Sequence, residues 1–460
     1  MKKIILYILF LNFAVMQDPI TEYLVIDTDT LDVFSYLIPE NYNENESHPL
    51  LVAFHQWGGN ENSNYFTQFD EECNERNWIM LSPYGGSANN YNHQGAQYLV
   101  ENEILWMMQH FNININKIYM VGGSMGGAAG AIYANNHLNP NLPMVAATAS
   151  ASGILDCERR AIEMDGNNSM IEWFGGDYDE VPFEYHRNSA IYFADSTQSM
   201  HYNLKHTPLY LDFGISEPHR IHAEELYEIL IGYNENLWID EDPTGSHGYS
   251  VLDENHVCDW LSQFELINNP DIINVNLDEP SRAYWVEAKN QINANEFIRI
   301  ETVRDGNNNF DIHKFSNSDS IIFHNTLDFN NTELSFKHEF ANNEYYIGLS
   351  GNDINFIDEI SAIGIIDEYF EPLNVDIVNE IVWISIPDFE FENIEIVVSY
   401  LSNDVNQDGI WNVIDIILIM NHILNINLLD DIQLLYADIN NDEIVDILDI
   451  VYLVNFILSE

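Results

Sequence analysis

Asn116-Lys117-Ile118-Tyr119-Met120-Val121-Gly122-Gly123-Ser124-Met125-Gly126-Gly127 is the stretch on which the fold turns. The run Lys117 to Val121 predicts a buried strand, and the Ala-rich run Ala128 to Asn135 behind the glycines predicts a helix. A serine on a sharp strand-to-helix turn needs small neighbours, because its strained backbone brings adjacent chain close and lifts Oγ clear of the sheet edge. Gly122, Gly123, Gly126 and Gly127 supply them. The helix N-terminus behind Ser124 favours negative charge. The competing reading is a plain glycine turn capped by serine; the strand before and the helix after favour a nucleophile.

Outward from this turn, the region from about Tyr23 to Asn269 alternates short β-branched or aromatic runs with longer amphipathic stretches. That is the pattern of strands and crossover helices in a mainly parallel sheet, so an α/β catalytic domain is expected over 17–270. Its clearest strands are Leu50 to Phe54, Trp78 to Ser82, Lys117 to Val121, Met144 to Ala149, Pro208 to Phe213 and Leu237 to Asp240. Functional groups in such sheets sit beyond the strands' carboxyl ends.

A serine hydroxyl needs a base to take its proton, and the base needs an orienting carboxylate. On a nucleophile elbow the chain order is Ser, acid, His. Glu217 follows the run Pro208 to Phe213 in the turn Gly214-Ile215-Ser216-Glu217, and His247 follows Leu237 to Asp240 in Ser246-His247-Gly248. Asp212 is the second candidate acid, but it lies inside a strand. His219, His222 and His256 compete with His247, which is favoured by its Gly- and Pro-containing loop. The oxyanion formed on attack needs two N–H donors. Met125, next after the nucleophile, supplies one, and Gln56 or Trp57 in the loop His55-Gln56-Trp57-Gly58-Gly59 supplies the other.

With these motifs the first 270 residues resemble α/β-hydrolases of the secreted esterase type related to polyhydroxybutyrate depolymerases and feruloyl esterases. They also resemble the catalytic domain of prolyl oligopeptidases, which shares the Gly-Gly-Ser-x-Gly-Gly elbow. The resemblance implies a serine esterase that needs no cofactor for catalysis, with a secreted serine peptidase as the alternative. Two departures stand out: His55-Gln56 where the family has His-Gly, and Glu217 where it has Asp.

From about Asp271 to Leu401 alternating runs such as Phe297-Ile298-Arg299-Ile300-Glu301 replace the helical patterns, predicting a β-rich accessory domain over 271–400. The segment 401–460 then repeats itself with a period of 34 residues: Asp404-Val405-Asn406-Gln407-Asp408-Gly409 recurs as Asp438-Ile439-Asn440-Asn441-Asp442-Glu443. Carboxylates and amides at loop positions 1, 3 and 5, a carbonyl at 7 and a carboxylate at 12 suit a calcium ion. The two sets are Asp404, Asn406, Asp408, Ile410 and Asp415, and Asp438, Asn440, Asp442, Ile444 and Asp449. Glu443 stands where the sharp turn prefers Gly, so the second site is expected to be the weaker.

A duplicated calcium loop with Asp at position 12 and one helix per loop resembles a type I dockerin. That resemblance implies Ca2+ at two sites and a cohesin or other cell-surface partner, and it tilts the substrate towards acylated polysaccharide. The presumed contact pairs, Val413-Ile414 and Ile447-Leu448, are apolar where the best-known members are polar. An inert hydrolase domain carried by a docking protein is the reading from a different functional class.

Composition narrows the rest. The 460 residues carry 15 Lys plus Arg against 74 Asp plus Glu, a net charge of −59. A polyanion such as nucleic acid is thereby repelled, and cations are the better partners. Residues 1–16 read as an export signal, with Lys2 and Lys3 before the apolar run Ile4 to Val15, and a secreted protein is expected. No later stretch offers the roughly 20 apolar residues of a membrane span. Three scattered cysteines, Cys73, Cys157 and Cys258, allow at most one disulfide and no convincing thiol nucleophile.

Overall fold

The computed structural model describes residues 18–165, 168–305, 309–326, 332–336, 345–351, 354, 357–366, 369–386, 393–400, 405–406, 412–439 and 444–457. The expected export signal, 1–16, lies outside them. The chain divides into two compact units, the first comprising 1–270 with 274–284 and 293–298, the second the remainder.

The first unit is built on eight strands: β1 (Ile20–Ile26), β2 (Asp29–Leu37), β3 (His48–Phe54), β4 (Ile79–Pro83), β5 (Ile113–Gly123), β6 (Ala147–Ala151), β7 (Leu209–Gly214) and β8 (Leu237–Asp242). Their order in the sheet is β1-β2-β4-β3-β5-β6-β7-β8. β1 and β2 pair antiparallel, β2 with β4 likewise, and every later pair is parallel. This is the α/β-hydrolase order.

The central strands read as unbroken apolar runs because both faces are covered. On one face α2 (Gln94–His110), α3 (Met125–Asn136) and α7 (Arg220–Leu230) bury Leu50, Val52, Met120, Ile132 and Leu211; on the other α1 (Phe69–Arg76) and α8 (Glu254–Leu261) cover Leu51, Ala53, Tyr119 and Val121. Between β6 and β7 lie three short helices, α4 (Cys157–Glu163), α5 (Met170–Phe174) and α6 (Pro182–Arg187).

Several details differ from the sequence reading: β5 begins at Ile113 rather than Lys117 and β6 at Ala147 rather than Met144. The hairpin β1–β2 at the sheet edge carries no strong apolar run. Helix α3 begins at Met125 rather than Ala128, because Gly126 packs on the end of β3: a Cβ there would come within 2.6 Å of the Phe54 and His55 carbonyl oxygens. Glycine lets the elbow seat this close.

In the second unit strands Asn309–Ser316 and Ser320–Thr326 bring the tilted rings of Phe310 and Phe323 together, centroids 4.7 Å apart, beside the fully buried Trp285. Strand Tyr369–Val378 pairs through its first half with Ile357–Ile366 and through its second half with Ile381–Ile386, so one strand joins both partners into a continuous sheet. The C-terminal segment forms α9 (Val413–Ile423), α10 (Asp431–Ala437) and α11 (Ile447–Ile457), with Val405, Ile419, Leu429, Tyr436 and Leu453 as a small core. No described helix is long and apolar enough to cross a membrane.

Candidate active site

Ser124 sits between β5 and α3 with φ 56° and ψ −118°, left-handed backbone that a serine adopts only under constraint. The constraint is visible: its N–H donates to the Ala151 carbonyl at 2.8 Å, and its own carbonyl accepts from Gly127 and Ile154 at 3.0 and 3.2 Å. The turn is held from both sides.

His247 Nε2 lies 2.7 Å from Ser124 Oγ, and His247 Nδ1 lies 2.6 Å from Glu217 Oε2. The buried Glu217 follows β7, its N–H closing a turn onto the Gly214 carbonyl at 3.1 Å. Nδ1–H donating to the carboxylate leaves Nε2 free to accept the serine proton. Among the described residues Glu217 Oε1 has no hydrogen-bond donor, so the imidazole is the carboxylate's principal support.

The histidine loop is pinned to the sheet by residues that sequence reasoning missed. Tyr249, buried, donates its hydroxyl to the Phe54 carbonyl at 2.7 Å, and Ser250 Oγ donates to the His247 carbonyl at 2.9 Å. Gly248 has φ 65° and lies against Gln56, whose side-chain oxygen a Cβ would strike. Gln56 therefore borders the site. Its carbonyl takes hydrogen bonds from His55 Nδ1 and the Gly59 N–H, at 2.8 and 2.9 Å. Trp57 is exposed, with its indole N–H 3.5 Å from Ser169 Oγ. Met125 opens α3, where helix N–H groups have no intrahelical acceptor.

The rival groups lie elsewhere. Asp212 is buried beside Asp240 of β8 rather than His247. Burial first, then the Asp240 charge, pushes its carboxyl up to about 7. The unfolded carboxyl loses its proton near 3.8 and the folded one only near 7, so the native state is favoured below pH 4 and loses that advantage as pH rises through 7. Asp212→Asn is therefore expected to raise the melting temperature by several degrees at pH 8 but hardly at pH 4. Scanning calorimetry at the two pH values checks this.

His219 and His222 cluster with Glu163, the donor atoms lying within 4.8 Å of one another. His222 Nδ1 accepts the Asp156 N–H at 3.2 Å, which puts the ring's proton on Nε2, facing Glu163 at 3.9 Å. A ring so protonated presents an N–H rather than a lone pair on its Glu163 side and is a poor metal ligand. Burial holds His222 down at about 3, keeping it neutral. The cluster ties α7 to α4, with the His219 ring 5.6 Å from that of His247. His256 lies edge-on to Tyr210 and tilted against Trp238, ring centroids 5.9 and 5.3 Å away. The three cysteines are free and buried, and burial pushes the Cys157 and Cys258 thiols up to about 12.

In the C-terminal segment Asp415 and Asp449 are fully buried. Asp415 accepts the N–H groups of Asn406 and Asn412 at 3.0 and 2.9 Å; Asp449 accepts those of Ile439 and Asp446 at 2.8 and 2.7 Å. Residues 401–460 hold eleven Asp and Glu and no Lys or Arg. Two buried carboxylates in a segment without Lys or Arg, among oxygen donors, fit a hard divalent cation. Asn406, Asp438 and Ile444 are described; Asp404, Asp408, Ile410, Asn440 and Asp442 lie outside the described residues.

Strand order and elbow define the first unit as an α/β-hydrolase. Residues 402–458 match the dockerin type I domain family, and the C-terminal segment is a dockerin type I domain. No curated protein sequence matches the chain. Among solved structures it is similar to a substrate-bound fluorophosphonate-binding serine hydrolase F of Staphylococcus aureus, at 15% identity over 53% of this chain and 98% of that one, TM-score 0.40. It is also similar to the acylaminoacyl peptidase of Pyrococcus horikoshii, at 16% identity over 54% of this chain and 40% of that one, TM-score 0.42. A ferulic acid esterase matches at 15% identity over 54% and 95% of the two chains, TM-score 0.39.

Proposed function

We propose that the chain is an exported serine esterase that cleaves acyl groups from polysaccharide and is anchored through its dockerin. The observation that carries this is the Ser124–His247–Glu217 hydrogen-bonded chain at the elbow of an α/β-hydrolase sheet. Ser124 Oγ attacks the ester carbonyl while His247 Nε2 takes its proton, and Glu217 stabilises the resulting imidazolium. The tetrahedral oxyanion is met by the Met125 N–H and by the main chain of Gln56 or Trp57. Collapse expels the alcohol, which receives the proton from His247. Water, deprotonated by the same imidazole, then attacks the acyl-enzyme, and the acid leaves with Ser124 restored.

Activity across acetyl, feruloyl, longer-chain ester and peptide substrates tests the reading. Preferential cleavage of acetyl or feruloyl sugar esters supports it, and preferential peptide cleavage would replace it with a peptidase.

Calcium in the dockerin would be held by Asp404, Asn406, Asp408, the Ile410 carbonyl and Asp415, and by the equivalent Asp438, Asn440, Asp442, Ile444 and Asp449. Bound there, it neutralises carboxylates and links each loop to its helix. The exposed faces Val413-Ile414-Ile417 and Ile447-Leu448-Val451, 34 residues apart, are the surface offered to a cohesin. Chelation is expected to lower the melting temperature of the C-terminal segment and abolish cohesin capture while ester turnover persists. Calorimetry with and without chelator checks this, and an unchanged transition would contradict it.

A further inference from the structure

The loop after β4, Tyr84 to His93, is rich in small and amide residues: Gly85-Gly86-Ser87-Ala88-Asn89-Asn90-Tyr91-Asn92. Asn90, Tyr91 and Asn92 are all buried. Tyr91 and Asn92 have φ of 46° and 54°, two consecutive left-handed residues, of which only the second is a type at ease there. Such a conformation persists only when its surroundings over-determine it. Here they do. Asn90 Nδ2 donates to the carbonyls of Tyr84, Gly85 and Ser87 at 3.1 to 3.2 Å, and its Oδ1 accepts the Asn92 N–H at 2.9 Å. Gln97 Nε2 donates to the Asn92 carbonyl at 2.8 Å.

What this scaffold presents is a grip on one residue. Asn92 Nδ2 donates to the Met125 carbonyl at 3.1 Å, and the Tyr91 N–H points at Met125 Sδ at 3.4 Å. Met125 is the first residue of α3, where a helix frays most readily, and its N–H must keep its aim while charge develops on the oxyanion. We propose that Asn92 is a positioning residue for the oxyanion hole: its amide locks the first turn of α3 so that the Met125 N–H stays directed at the reacting carbonyl. This rests on the esterase reading of Ser124.

The test exploits the left-handed backbone. Asn92→Gly keeps that conformation at no steric cost and removes only the amide, whereas Asn92→Ala removes the amide and adds strain. Both are expected to lower kcat roughly tenfold to a hundredfold with KM changed less than about threefold, because the lost interaction acts on the transition state. If Asn92→Gly fails to fold, Asn92→Asp, of equal size and equally at ease in left-handed backbone, is judged by the same split. An Asn92→Gly enzyme with wild-type kcat, or one that loses only KM, overturns the inference while leaving the esterase reading intact. Wild-type turnover that survives Ser124→Ala overturns both.

Discussion

Ser124→Ala is expected to reduce ester turnover by roughly 10⁴- to 10⁶-fold, to the level left by substrate binding and the oxyanion donors alone. The size of the effect follows from the arrangement around the serine. Its Oγ is 2.7 Å from the imidazole of His247, which is held against the buried Glu217 carboxylate, and the alternative nucleophiles are unfit. Cys157 and Cys258 are buried thiols pushed up to about 12, and burial likewise pushes the Cys73 thiol well above its ordinary range. The substitution is small: it removes one side-chain hydrogen bond, to His247, and keeps the main-chain bonds that hold the turn. The melting temperature should therefore change little, so that lost turnover reports chemistry. Initial rates on an acetyl or feruloyl ester, with calorimetry on the same preparation, make the comparison.

Glu217→Gln should cost roughly 10²- to 10⁴-fold in kcat with KM nearly unchanged. Glutamine is isosteric but neutral. It no longer stabilises the imidazolium, and its amide N–H₂ can force the wrong tautomer by donating to Nδ1. Because Glu217 Oε1 has no donor among the described residues, no second partner compensates when the charge goes. Asp212→Asn provides the contrast: that carboxyl faces Asp240, so its removal should leave turnover within about threefold of wild type. If Asp212→Asn were the more damaging substitution, the orienting acid would have to be reassigned.

The elbow was legible because its chemistry is local: glycines flank the serine, a β-branched strand precedes it and an alanine-rich helix follows. The meeting of Glu217 and His247 was legible for a different reason. Each follows a recognisable strand, and parallel neighbours bring the ends of β7 and β8 to the same edge of the sheet. Strand limits drifted by up to about four residues: polar positions continue the ladder at Glu241 and Asp242 of β8 and at the start of β5, which begins at Ile113 rather than Lys117, and β6 begins at Ala147 rather than Met144. What could not be read were interactions between segments distant in sequence. Tyr249 bonds to the Phe54 carbonyl across 195 residues, and Asn92 reaches Met125 across 33. No local pattern encodes either. Two adjacent asparagine-rich turns, Asn89-Asn90 and Asn92, were the available hint that the loop after β4 is built for left-handed backbone. The dockerin was legible through its 34-residue period, since duplicated ligand spacing in register does not arise from acidic composition alone.

The most direct test of the central claim is covalent trapping followed by peptide mass spectrometry. Incubation of the full-length protein with a fluorophosphonate is predicted to add one phosphonyl group, on the peptide containing Ser124. Labelling should disappear in Ser124→Ala and slow sharply in His247→Ala. Stoichiometric labelling at another residue, or full ester turnover by a protein that takes up no label at Ser124, would contradict it.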